Sequence, residues 1–195
     1  MAIRFRESDS RPMGRNTSGV KGISLVGDDR VVGMVVADPE ATLLTVCEKG
    51  YGKRTELSDY RTQSRGGKGL ITIKCTERNG KLVGAVQVFD GDELMLISNQ
   101  GTLVRTAADE VSLLGRNTQG VRIIRTKPGE SLVQAERIVA IDADEPSVIL
   151  KGPQGNLVEV LVRHPEKLEG VDIGDQVVIT YKRALAVAVT PSPIQ

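Results

Sequence analysis

The chain has 195 residues, a net charge of +1, no Trp and only 3% aromatic residues. Its core must therefore rest on Val, Ile and Leu, which favour strands, and its length suffices for one repeat domain or two small ones. No apolar run approaches the roughly 20 residues of a membrane span, and a lone imidazole, His164, leaves no credible Ser/His/Asp grouping.

The near-neutral sum hides a division. Residues 1–130 carry 20 Lys+Arg against 16 Asp+Glu, whereas residues 131–195 carry 6 against 9. The N-terminus, Met1-Ala2-Ile3-Arg4-Phe5-Arg6, has no apolar signal segment and reads as the middle of a strand, as in an excised piece. Arg4 and Arg6 are either frayed or functional. Next comes the phrase Gly14-Arg15-Asn16-Thr17-Ser18-Gly19-Val20, which returns as Ser64-Arg65-Gly66-Gly67-Lys68-Gly69-Leu70 and as Gly115-Arg116-Asn117-Thr118-Gln119-Gly120-Val121. The shared pattern is Arg-x3-Gly followed by Val or Leu, with steps of 50 and 51 residues. A second basic series, Arg4, Arg54 and Arg105, keeps the same beat eleven residues ahead of the first. A period near fifty residues indicates a repeat architecture.

The intervening runs repeat too. Val31–Val36 returns as Leu82–Val88 and, weakened, as Leu132–Ala135, and Leu43–Cys47 is matched by Leu94–Ser98. Each of these last two is followed by a Gly turn and then a basic strand, Lys53-Arg54-Thr55 or Val104-Arg105-Thr106. These short runs are β-rich and bounded by Gly, Asn and Asp, which predicts strands, four to a repeat, in a propeller-like blade. Glu56–Tyr60 and Ala107–Val111 are expected to form single helical turns as spacers. Arg30, Arg78 and Lys81 fall in the opposite turns and read as ordinary surface. Cys47 and Cys75 stand 28 residues apart without a CxxC partner and read as buried or half-buried thiols, with no metal and no cofactor implied. Tyr51 and Tyr60 are expected to pack at blade edges.

The beat falters after about residue 130. Gly152–Glu159 resembles Ser98–Arg105, but at an offset of 54 and with an acid where the arginine stood. Asp175–Tyr181 and Ala184–Val189 still read as strands. Residues 138–193 are therefore expected to be all-β and acidic, either a degenerate closing blade or a separate small barrel. Asp142, Asp144 and Glu145 lack the ligand spacing of a cation loop and read as a solvated turn.

Residues 1 to about 137 closely resemble the C-terminal DNA-wrapping domain of bacterial DNA gyrase A. The matching stretches are Gly50–Thr55, Thr76–Gly80, Val83–Val88, Gly101–Thr106 and Gly115–Val121. The resemblance implies a β-pinwheel, a propeller whose blades exchange strands with their neighbours, of which this chain matches the last three blades. Gln63-Ser64-Arg65-Gly66-Gly67-Lys68-Gly69 is similar to the family's basic signature box, with Ser64 in place of an Arg. The resemblance further implies cytoplasmic, non-catalytic work for a type II topoisomerase that supercoils DNA, the tyrosine region that cuts DNA being absent. The implied partners are duplex DNA, the remainder of gyrase A, and gyrase B, with no membrane. Residues 138–193 weakly resemble an unrelated small bacterial β-barrel domain, which would make the chain a fusion.

Arg forks grip phosphate oxygens bidentately, and Gly-rich turns let backbone N–H groups approach them. Arg15, Lys21, Lys53, Arg54, Arg65, Lys68, Arg105, Arg116 and Arg122 are accordingly expected to line a curved basic track. That track would hold the backbone of duplex DNA without reading bases. The rival reading is a structural or protein-interaction half-propeller whose open edges pair into a closed ring, for example as a homodimer.

Overall fold

A computed structural model describes residues 1–142, 147–151, 157–161 and 176–178, with side chains described through residue 138. The described strands are β1 (Thr42–Cys47), β2 (Tyr51–Glu56), β3 (Leu82–Val88), β4 (Glu93–Ser98), β5 (Thr102–Ala107), β6 (Val121–Arg122), β7 (Leu132–Asp142), β8 (Ser147–Lys151), β9 (Leu157–Leu161) and β10 (Gln176–Val178). The only helical elements among the described residues are 3-10 turns at Glu7–Asp9, Leu57–Asp59 and Ala108–Glu110. The last two are the spacers expected from the sequence. The fold is all-β, and every described strand pairing is antiparallel.

Strand order carries the principal structural point. One sheet runs β3-β1-β2-β6 and the other β10-β5-β4-β7-β8-β9. Within a unit, β1 pairs with β2 and β4 with β5, the hairpins that the Gly turns imply. The outer positions, however, are filled from the following repeat. β3 flanks β1, and β7 flanks β4. β6, at the end of the Arg116 loop, lies beside β2, with Tyr51 opposite Arg122 and Gly52 opposite Val121. The same exchange occurs one repeat earlier as isolated bridges, Ala2 to Leu70 and Arg4 to Thr62.

This exchange explains a departure from expectation. Val31–Val36, the counterpart of β3 and β7, forms no strand, and Val31, Met34 and Val36 are exposed. β3 and β7 are ordered by β1 and β4, strands of the repeat before them. The backbone of Val31–Val36 finds no such ladder among the described residues.

The main core lies between the two sheets. Leu44, Val46, Val86 and Val88 of the first meet Leu94, Leu96, Leu132 and Ala135 of the second, with Ala108 and Val111 closing the cluster. Burial of an aliphatic side chain contributes about 1.5–3 kcal/mol, so this aliphatic layer orders a chain without large rings. Smaller clusters gather Met95, Ile97, Leu103 and Ile138, and Ala41, Leu43, Leu57 and Tyr60.

β7 runs unbroken across residue 137, and β8 and β9 extend the same sheet. β10 pairs with β5, placing Val177 opposite Leu103, where β6 places Val121 opposite Gly52. Ala184–Val189, Asp144, Glu145, His164 and Tyr181 lie outside the described residues.

Candidate nucleic-acid interface

The second and third Arg-x3-Gly loops are each clasped between two parts of the preceding repeat. In the second loop, Leu70 and Ala2 exchange backbone hydrogen bonds at 2.7 and 2.8 Å, Gly66 N–H donates to Gly22 O, and Ser24 N–H donates to Gly67 O. In the third, Lys74 N–H donates to Thr118 O at 2.8 Å, the counterpart of the Ser24 bond. The pattern's closing glycine is required by this clasp. Gly69 and Gly120 have φ of +77° and +74°, and an added Cβ would meet Ala2 O at 2.4 Å or Gly52 O at 2.6 Å. Gly19 shares the positive φ but has nothing within 4 Å. The threonine of the phrase tightens the turn, since Thr17 Oγ1 donates to Gly14 O and Thr118 Oγ1 to Gly115 O.

Arg65 and Arg116, two arginines of the beat, occupy equivalent places. Arg65 donates through Nε to Asp9 O at 2.9 Å and through Nη1 to Lys21 O at 3.1 Å. Arg116 Nη1 donates to Ile71 O at 3.0 Å, and its guanidinium lies 5.9 Å from the Tyr60 ring. Each arginine thus ties its loop to the segment just past the previous loop, which stacks the three loops in succession. Neither pairs with a carboxylate among the described residues, so both keep their charge unneutralised by an acid there. Arg15, Lys21 and Lys68 are exposed. In the box-like loop, Gln63 N–H donates to Arg4 O, whereas Gln63 Oε1 is buried without a partner among the described residues and Ser64 is exposed.

The second basic series serves a different place in the fold. Arg54 is 9% exposed. It donates through Nε to Val111 O at 2.9 Å and through Nη1 to Asp90 at 2.6 Å, with Asp109 at 3.5 Å. Arg54 in turn holds the Asp90 carboxyl below the usual carboxylate range by hydrogen bond and charge. Arg4, one repeat earlier, reaches Leu57 O and Tyr60 O in the same manner, so it is tied into the fold rather than frayed. Arg105 pairs with Glu93. Lys53 is fully buried, and its ammonium donates to Gly115 O at 2.5 Å and Arg116 O at 2.6 Å. Burial, and then the nearby Arg116 charge, pushes its pKa down to about 8. Together with Thr55, whose hydroxyl donates to Leu114 O, Lys53 fastens the Arg116 loop from beneath. Lys53 and Arg54, read from the sequence as phosphate contacts, direct their described hydrogen bonds into the protein, and the charge of Arg105 is met by Glu93.

The structure also gathers cations that the repeat does not announce. A notch of about 320 Å³ is lined by Lys49, Tyr51, Arg78, Arg122, Thr126, Lys127, Gly129 and Glu130. The guanidiniums of Arg78 and Arg122 lie 5.0 and 5.2 Å from the Tyr51 ring centre. Tyr51 hydroxyl accepts from Arg122 at 2.8 Å, and these two guanidiniums lower the phenol's pKa. Sequence reading placed Arg122 on the track but assigned Arg78 to ordinary surface and left Lys49 and Lys127 out, because none of these three follows the fifty-residue period.

Cys47 is buried in β1 and Cys75 is exposed. Each thiol is the other's hydrogen-bond partner. This contact raises Cys47, with burial adding to the effect, and lowers Cys75 to about 6. Among the described residues no helix is long and apolar enough to cross a membrane.

Repeated four-stranded units that trade outer strands and present equivalent basic loops define a β-propeller-type repeat domain. A family model described as the DNA gyrase C-terminal domain, beta-propeller, matches residues 1–38, 41–88 and 92–138, and the chain belongs to that family. It is 51% identical over 143 residues to the DNA gyrase A protein of Salmonella typhimurium, covering 73% of this chain and 16% of that protein. It is 52% identical over 136 residues to the DNA gyrase A protein of Pseudomonas aeruginosa, covering 70% and 15%. The chain thus spans about a sixth of the length of these relatives. Among solved structures, a DNA gyrase A C-terminal domain superposes with a TM-score of 0.64 at 32% identity, covering 68% of this chain and 45% of that one. A topoisomerase IV C-terminal domain gives 0.65 at 18% identity, covering 71% and 43%, and shares the fold.

Proposed function

We propose that this chain binds the backbone of duplex DNA along its stacked Arg-x3-Gly loops and bends the duplex around them. It would do so as a non-catalytic part of a gyrase-like type II topoisomerase, with the remainder of gyrase A, and gyrase B, as its partners. The observation that carries this reading is the stacking of equivalent loops. Arg65 and Arg116 are anchored in the same way on the repeat before and have no acidic partner among the described residues. A regular series of such loops suits a long polyanion. Lys53, Arg54 and Arg105 act in this reading as positioning residues that hold the loops and strands. The same domain in DNA gyrase A relatives, and the absence of any recognition helix among the described elements, favour backbone contact and DNA deformability over base readout. Smooth bending of a site costs on the order of 1–6 kcal/mol, within reach of several charge-assisted contacts.

The test is a salt titration of binding to a mixed-sequence duplex. Each neutralised phosphate contributes about −0.9 to the slope of log K against log salt, so the six cations Arg15, Lys21, Arg65, Lys68, Arg116 and Arg122 predict a slope of about −5. Absence of binding at low salt, or affinity indifferent to salt, rejects the proposal.

A further inference from the structure

We infer that the notch around Tyr51 is a phosphate-binding site for a single DNA phosphodiester, present in one repeat only, which breaks the equivalence of the loops. The inference rests on the DNA-binding reading above and adds a site to it. Four of the eight lining residues are cations: Lys49, Arg78, Arg122 and Lys127. They arrive from four segments, namely the β1–β2 turn, the turn before β3, β6 itself and the turn before β7. None of the four pairs with a carboxylate among the described residues. Glu130 is the one acid in the described lining, and it is 7% exposed. Its oxygens are engaged inside, accepting from Ser98 Oγ at 2.7 Å and from Lys127 N–H at 2.9 Å, and its pKa is lowered to about 2. It therefore stays an anion bound to internal donors, and the four cations keep their demand for a counter-charge.

Cations brought together without a counter-charge repel one another, and a single bound anion relieves all of these repulsions at once. The two guanidiniums are pre-positioned by the Tyr51 ring and, for Arg122, by the Tyr51 hydroxyl. A planar fork held in place loses little freedom on gripping phosphate oxygens. Arg122 directly follows the Gly115–Val121 phrase, so the notch continues the track from the end of the third loop. Its uniqueness follows from the sequence. One repeat on, Tyr51, Arg78 and Lys49 become Thr102, Gly129 and Gln100, and one repeat back, Arg78 becomes Asp28.

The experiment is the salt titration of duplex DNA binding by the full chain carrying Arg78→Ala with Lys127→Ala, beside Arg116→Ala. Both notch residues are exposed, and an unchanged thermal midpoint verifies folding. The notch predicts a slope less steep by about 1 for the double variant, which loses its one phosphate, and by about 1 for the loop variant, which loses another. Arg78→Lys, which keeps the charge, retains the wild-type slope. If the loop variant flattens the slope while the double variant does not, the notch is overturned and the DNA-binding reading stands. If the wild-type chain shows no salt-dependent binding, both are overturned.

Discussion

Replacing Lys53 by Met separates a residue that fastens a loop from one that touches a phosphate. The ammonium is fully buried and donates to Gly115 O and Arg116 O. Two charge-assisted hydrogen bonds contribute about 1.5–3 kcal/mol each. Dehydration of the ammonium opposes them. The fall in pKa from 10.5 to about 8 gauges that opposition at about 3 kcal/mol. The variant should therefore be less stable near pH 7 by about 2 kcal/mol, a fall in Tm of about 4–8 °C for a chain of this size. The pH dependence carries the diagnostic sign. Between pH 8 and 10.5 the unfolded chain holds the Lys53 proton and the folded chain does not, so wild-type stability rises with pH. A neutral amine still has hydrogens for both carbonyls. Thermal unfolding of both proteins across that range should show the gap between them widening by about 3 kcal/mol. A gap that stays constant or narrows refutes a buried, reluctantly charged lysine.

Other perturbations probe separate links. Gly120→Ala should destabilise by about 2–4 kcal/mol, because the left-handed backbone and the Gly52 carbonyl both oppose a Cβ. Gly19→Ala, with open space around it, should cost only the backbone strain, about 1–2 kcal/mol. Chemical denaturation of the two variants measures the difference. Arg105→Ala should leave the salt slope of DNA binding unchanged, since Glu93 already meets that charge; a fall of about 1 in its magnitude would place Arg105 on a phosphate. Alkylation at neutral pH should label exposed Cys75 rapidly, with a rate midpoint near the lowered pKa of about 6, and spare buried Cys47 until the chain unfolds. Mass spectrometry of the labelled peptides decides this.

Periodicity made much of this fold legible. Leu43–Cys47 and Leu94–Ser98 became β1 and β4, the basic runs became β2 and β5, and the spacers became 3-10 turns. The recurrent glycine of the arginine phrase proved to be a left-handed residue at two close backbone contacts. Periodicity identifies equivalent positions, but the repeat in which a strand finds its partner is set by tertiary pairing. Val31–Val36 has the composition of a strand and lacks a neighbour to pair with among the described residues. Lys53 and Arg54 looked like surface charge because β2 reads as a polar strand. In the structure the returning loop and β6 cover it, leaving only Glu56 of that strand exposed. The notch was invisible for the converse reason. Its cations are irregular in sequence, and strand exchange alone brings Arg122 beside Tyr51.

The arginine beat itself is tested most directly by replacing Arg15, Arg65 and Arg116 together with Ala and titrating duplex DNA binding against salt beside the wild-type chain. If the three loops each hold a phosphate, the triple variant remains folded and its slope is less steep by about 3. Equal slopes for the two proteins would contradict the account.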